Sequence, residues 1–273
     1  MSGGVTVPLC TSHPSSTLSY YLQDSEASLV LVTRDLLPRV SDLGVKTFIL
    51  EDESVDNVLH EEDDDQVTPV EASSPAMILY TSGTTGPPKG VVLTHGNIHH
   101  QISCLTQAWE WSSDDTILHV LPLHHTHGIV NCLLCPLSVG ATVHMIQFCP
   151  ATVWDILTRG QVNVFMAVPT IYSKLIQFLE NNKDRVIRSD KCETQVRLMV
   201  SGSAALAVPT LNTWRDLTGH VLLERYGMTE IGMALSQPLH GQRVPGYVGR
   251  PLPGVSVKIV RLVIKAEQQL FKY

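Results

Sequence analysis

Short apolar runs alternate with stretches of helical period along this chain. Ala27–Thr33 and Thr47–Leu50 read as strands, with a helical turn expected over Asp35–Val40 between them. Met77–Tyr80 is the next apolar strand. A helix follows from Thr94–Asn97, because Ile98, Ile102, Leu105 and Trp109 recur at its spacing until Ser112–Asp115 breaks it. Ile117–Leu121, Ala141–Ile146, Val162–Val168, Arg197–Val200 and Val221–Leu223 are further strands. The apolar segment Gly128–Val139 and helices near Trp154–Leu157, Ile171–Leu179 and Pro209–Leu217 separate them, and Val255–Ile264 reads as a last strand or strand pair. No repeat of fixed period is visible.

Strands of continuous apolar character alternating with amphipathic helices predict an α/β fold: layered, largely parallel sheets flanked by helices. Such sheets bind ligands at the carboxyl ends of their strands, so the loops there carry the functional expectation. Residues 1–20, rich in Ser, Thr, Pro and Gly, read as a flexible lead-in. Nine carboxylates among the fifteen residues Glu51–Asp65 make residues 51–70 a solvated mobile loop.

Composition narrows the classes of function. The formal charge of -7, with no basic stripe, argues against a nucleic-acid polymer as partner. No apolar run is long enough for a transmembrane helix, and no integral membrane association is expected. The start MSGGVTVPLC shows neither a signal peptide nor a basic presequence. Six cysteines read as small hydrophobes, including Cys132 and Cys135, whose CxxC lies in an apolar run without a second pair.

Four stretches carry chemistry. Tyr80–Gly90, YTSGTTGPPKG, offers backbone N–H groups, four hydroxyls within Thr81–Gly86 and a lysine; its glycines allow close approach to an anion. It is not the GxxxxGK[ST] loop of P-loop proteins. Glu224–Glu230, ERYGMTE, combines an aromatic that can stack on a base, a hydroxyl for phosphate and a carboxylate for Mg²⁺. Ser201–Ala205, SGSAA, follows a strand with small residues. Leu121–Gly128, LPLHHTHG, holds three imidazoles but no thiolate or carboxylate at zinc spacing.

Together these stretches resemble the signatures of the adenylate-forming superfamily of acyl-CoA synthetases, luciferases and peptide-synthetase adenylation domains. The likeness implies the fold of that superfamily's large N-terminal domain, incomplete here at both ends. It implies that Thr81, Ser82, Gly83, Thr84, Thr85, Gly86 and Lys89 contact ATP phosphates. Ser201, Gly202, Ser203, Ala204, Glu224, Arg225, Tyr226, Gly227, Met228 and Thr229 would line the nucleotide. Thr84 and Glu230 would serve Mg²⁺, and Lys89, Thr229 and Glu230 the chemistry. HHTHG, RLMVSGSAAL and LLERYGMTEIGMAL are most similar to malonyl-CoA synthetases, a likeness running from about Tyr20 to Val260. Arg197, with one of His125 and His127, would then hold the distal carboxylate of malonate, because arginine grips a carboxylate bidentately.

The implied reaction joins malonate, ATP and CoA through a malonyl-adenylate, giving malonyl-CoA, AMP and diphosphate. A ligase for another short- or medium-chain acid, or a non-catalytic nucleotide-binding fragment, are the alternatives. Residues 21–253 are expected to form part of the AMP-binding domain and 254–273 the start of a β subdomain with a divergent tail. The small C-terminal domain with its lysine has no counterpart motif here. The likeness also implies the mitochondrial matrix.

Overall fold

The structure, a computed structural model, describes residues 3–51, 69–83, 86–182 and 188–260. The acidic segment at 52–68 therefore lies outside the described residues. The chain divides into two compact units, one comprising residues 1–82, 88–98 and 122–125, the other residues 83–87, 99–121 and 126–273.

In the first unit, helix α1 (Ser15–Asp24) precedes two parallel strands, β1 (Leu29–Val32) and β2 (Lys46–Ile49). Leu18, Val32 and Val40 form a small core there. The helix expected over Asp35–Val40 is a single 3₁₀ turn, Leu37–Arg39, with Pro38 at its start. The strand leading into the glycine-rich loop, β3 (Pro75–Thr81), pairs antiparallel with β4 (Lys89–Thr94). The expectation that this loop leaves a strand of the parallel sheet is thus corrected. Residues 82–88 are a hairpin loop, closed by Thr81 opposite Lys89. Helix α1 grips the hairpin stem: the Tyr21 and Tyr80 rings lie 4.2 Å apart, Tyr80 donates to Asp24 Oδ2 at 2.8 Å, and Tyr20 donates to the Pro88 carbonyl at 2.8 Å. Gly90 is required beside them, since a Cβ there would meet Ile78 at 2.9 Å and the Tyr80 ring at 3.3 Å.

The second unit is built on a seven-stranded sheet. Its strands in chain order are β5 (Thr116–His119), β6 (Thr142–Met145), β7 (Val164–Ala167), β8 (Leu198–Ser201), β9 (Leu223–Met228), β10 (Gly232–Ser236) and β11 (Arg250–Pro251), arranged β11-β10-β9-β8-β7-β5-β6. The run from β9 to β6 is parallel, and β10 and β11 add antiparallel. Successive residues of a strand face opposite sides, and both sides are apolar here. Ile117, Val164, Met166, Leu198 and Val200 join one core with Leu105, Trp109, Cys132 and Cys135. Leu118, Phe165, Ala167 and Met199 join the other, under helices α4 (Pro150–Thr158), α5 (Pro169–Asn181) and α7 (Val208–Thr218). Here α2 is His95–Ala108, α3 Cys135–Ser138 and α6 Cys192–Gln195. Trp154 and Trp214 stack at 5.3 Å beneath the sheet. Cys132 and Cys135 are buried free thiols, as expected for core packing.

Two strand boundaries differ from expectation. The strand expected at Val221–Leu223 is β9, which extends through the ERYGM stretch to Met228, because β8 and β10 pair with its polar residues. No strand forms over residues 255–260, which expose Val257, Ile259 and Val260, and 261–264 lie outside the described residues.

The amino edge of the sheet is closed by residues that precede three neighbouring strands. Arg197, before β8, grips Asp115, before β5, through Nε and Nη2, both at 2.6 Å. Its Nη1 and Nη2 also donate to the carbonyls of Trp109 and Glu110. Asn163, before β7, donates to Asp115 Oδ1 at 2.9 Å and accepts from Thr116 N–H. The expected role of Arg197 in holding malonate is therefore corrected: its guanidinium is committed to the fold, at the edge away from the carboxyl-end loops. Asp115 is only 2% exposed. Burial raises its pKa, but Arg197, the Ser112 N–H and Asn163 outweigh that and hold it below the usual value. This carboxylate stabilises the fold above about pH 4; the contribution is lost as pH falls through its lower folded value. We predict that Arg197→Ala costs about 3 kcal/mol or more in urea unfolding. In acid unfolding, Asp115→Asn should lower stability near neutrality and weaken its dependence on pH below about pH 4.

Candidate functional site

At the carboxyl edge of the second unit, β8 ends on Ser201 and β9 brings Glu224 beside it. Gly202 follows at a point where no side chain fits, since a Cβ there would collide with the Arg225 guanidinium. Ser203 then takes φ +69°, a left-handed conformation uncommon outside glycine. That turn brings its Oγ to 3.2 Å from His127 Nδ1 and lets it accept from Arg225 Nη2 at 3.3 Å.

Arg225 is 3% exposed, and no carboxylate forms an ion pair with it among the described residues. Among the described residues its Nε has no hydrogen-bond partner. Burial pushes its pKa down to about 10, with the nearby Cys132 opposing that, so it remains a cation near neutral pH. A buried charge of this kind is costly unless a counter-charge reaches it. Ser201 Oγ, on the neighbouring strand β8, is also buried without a partner among the described residues.

Alternation along β9 puts Glu224, Tyr226 and Met228 on one face and Arg225 on the other; Tyr226 and Met228 are exposed, whereas Glu224 and Arg225 are buried. Burial raises the Glu224 carboxyl pKa, partly offset by the Gly246 N–H that donates to Oε1 at 3.1 Å. Glu224 thus secures the loop after β10. Thr229 and Glu230 occupy the turn between β9 and β10, with Glu230 exposed. That turn is braced by Gln101 on α2, whose Oε1 accepts from the Met233 N–H. A Cβ on Gly232, at φ +66°, would collide with the same Oε1.

The first unit holds the stem of the glycine-rich loop. Thr81 and Lys89 face each other across the hairpin, and Ser82 and Lys89 are exposed. Gly83 takes φ +54° and Gly86 is exposed, whereas Thr84 and Thr85 lie outside the described residues. Of the histidines, His124 and His125 lie in this unit with ring centroids 4.2 Å apart and tilted by 51°, while His127 belongs to the second. Burial, then His125 and His13, push His124 down to about 4, so it is neutral near pH 7.

No group of three His, Cys, Asp or Glu side chains converges on a metal position among the described residues. A lone exposed carboxylate such as Glu230 suits Mg²⁺ held mainly by substrate phosphates and water.

Residues 1–263 match the AMP-binding enzyme family. The chain belongs to that family. This AMP-binding chain is 51% identical over 276 residues to the mitochondrial malonate–CoA ligase ACSF3 of Xenopus laevis, covering 95% of the chain and 48% of the relative. Among solved structures, ATP-bound MatB from Rhodopseudomonas palustris superposes with a TM-score of 0.80 at 35% identity, over 93% of this chain and 50% of that one. A malonyl-CoA ligase in a ternary product complex with methylmalonyl-CoA and AMP gives 0.78 at 33%, over 92% and 52%. The chain spans about half the length of the curated relatives it matches. The expected α/β architecture and family are both borne out.

The brace at Gln101 yields a prediction. Gln101→Leu removes the acceptor for Met233 N–H, whereas Gln101→Glu keeps one. Urea unfolding should show the leucine variant less stable by about 1–3 kcal/mol, on the scale of one buried donor left unpaired, and the glutamate variant near wild type.

Proposed function

We propose that this chain forms the nucleotide- and acid-binding part of an ATP-dependent malonate–CoA ligase, working in mitochondria like its Xenopus relative. The observation that carries the reading is Arg225: a buried guanidinium with no carboxylate paired to it among the described residues, aimed into the carboxyl edge with Ser203 and His127 around it. A dicarboxylic acid supplies the missing charge. Its distal carboxylate meets Arg225, with Ser203 Oγ and His127 fixing its position, in place of the Arg197 contact expected from sequence.

The near carboxylate then attacks the α-phosphorus of ATP. The bond to the bridging oxygen breaks and diphosphate leaves. Thr81, Ser82, Gly83, Gly86 and Lys89 hold the phosphates through N–H, hydroxyl and ammonium donors, stabilising charge as it develops on the leaving group. Tyr226, exposed on β9, stacks on adenine, and Thr229 donates to phosphate. When bound, Mg²⁺ neutralises phosphate charge, with Glu230 as its protein ligand; Thr84, the other expected ligand, lies outside the described residues. In the second half-reaction CoA thiolate attacks the acyl carbon, and the C–O bond to AMP breaks. No protein nucleophile is consumed.

ATP–diphosphate exchange driven by the acid reads the first half-reaction alone. Malonate should support exchange at least about 100-fold better than butyrate, because a site built for a charged end leaves its donors unpaired with a methyl end. Arg225→Met should remove malonate-driven exchange by about 100-fold while Mg·ATP binding changes little. A methionine variant that still prefers malonate would overturn the assignment. Wild-type chain that binds Mg·ATP but exchanges with no acid would mark a nucleotide-binding part without adenylation activity.

A further inference from the structure

The segment before α3 is a π-helix, His127–Leu134, in which the Cys135 N–H reaches back five residues to the Val130 carbonyl. An α-helix would make that bond to Asn131. Single π turns are uncommon and cluster at functional sites. In this register residues four and five apart lie over one another, so Asn131 and Cys132 share the face of His127. That face meets the acid end of the site. His127 Nδ1 lies 3.2 Å from Ser203 Oγ, and the Cys132 thiol is close enough to Arg225 for each to bias the other's proton affinity.

Asn131 is 0% exposed, and neither its Oδ1 nor its Nδ2 has a hydrogen-bond partner among the described residues. Thr126 Oγ1, at the head of the segment, is buried without a partner as well. Buried amides are paired almost without exception in folded proteins, and one that stays unpaired needs a ligand to explain it. We infer that Asn131 is a specificity-determining residue, its Nδ2 donating to the distal carboxylate that Arg225 holds. The inference rests on the dicarboxylate reading above. A carboxylate offers about four acceptor sites. Arg225 reaches only some of them, and one of its own donors is spent on Ser203. An acid ending in a methyl group would leave both the guanidinium and the amide unpaired, so the two residues together reject monoacids.

The test uses Asn131→Leu in the full chain, with thermal unfolding and acid-driven ATP–diphosphate exchange. The leucine variant should unfold at the wild-type temperature or above, because it removes a buried amide that none of the described residues satisfies. Its ratio of kcat/KM for malonate over butyrate should fall at least about tenfold, mainly through KM for malonate, with KM for Mg·ATP unchanged. An unchanged ratio overturns the inference. A clear drop in unfolding temperature also overturns it, since the amide would then be serving the fold. Wild-type chain that shows no preference for malonate removes the dicarboxylate reading itself, and this inference with it. If wild type prefers malonate and only the variant is unaffected, the dicarboxylate reading survives alone.

Discussion

A guanidinium can be taken out of water only if something else carries its charge. The second unit contains two arginines that meet this constraint in opposite ways. At the amino edge, Arg197 is matched by Asp115 within the fold. At the carboxyl edge, Arg225 has a serine hydroxyl and a vacant Nε. The sheet between them is apolar on both faces, so its polar chemistry is confined to its ends. One end is saturated and locks strands together; the other is left incomplete.

The five-strand parallel run follows from strands such as VFMA, buried at every position. Two-faced burial writes an uninterrupted apolar run into the sequence, which is why β5, β7 and β8 could be placed within a residue or two. β9 was harder. LERYGM carries Glu224 and Arg225 at buried positions, and charge in a run reads as a loop. The antiparallel partner of β3 was hidden for another reason: KGVVLT is short, and nothing local distinguishes a hairpin return from the approach to a helix.

The site was legible as composition but not as direction. Arg197 stands four residues before Ser201, and with a strand rise of about 3.3 Å per residue that spacing spans the sheet from one edge to the other. Arg225, more than twenty residues further along the chain than Ser201, reaches its neighbour Ser203 because β8 and β9 are adjacent. His125 and His127 likewise differ by two positions yet belong to different compact units. Motif reading supplied the residue types; strand register and side-chain facing decided which of them meet.

Ser203 shows how such a site can be lost quietly. Its left-handed backbone suits glycine better than serine, yet its hydroxyl is the link between His127 and Arg225. Selection for expression or heat resistance alone would favour glycine there and report success. The resulting protein would look improved by every measure of folding, while the hinge between an imidazole and a buried cation had been erased. Residue 203 is therefore a place where stability-guided engineering and sequence drift run against function.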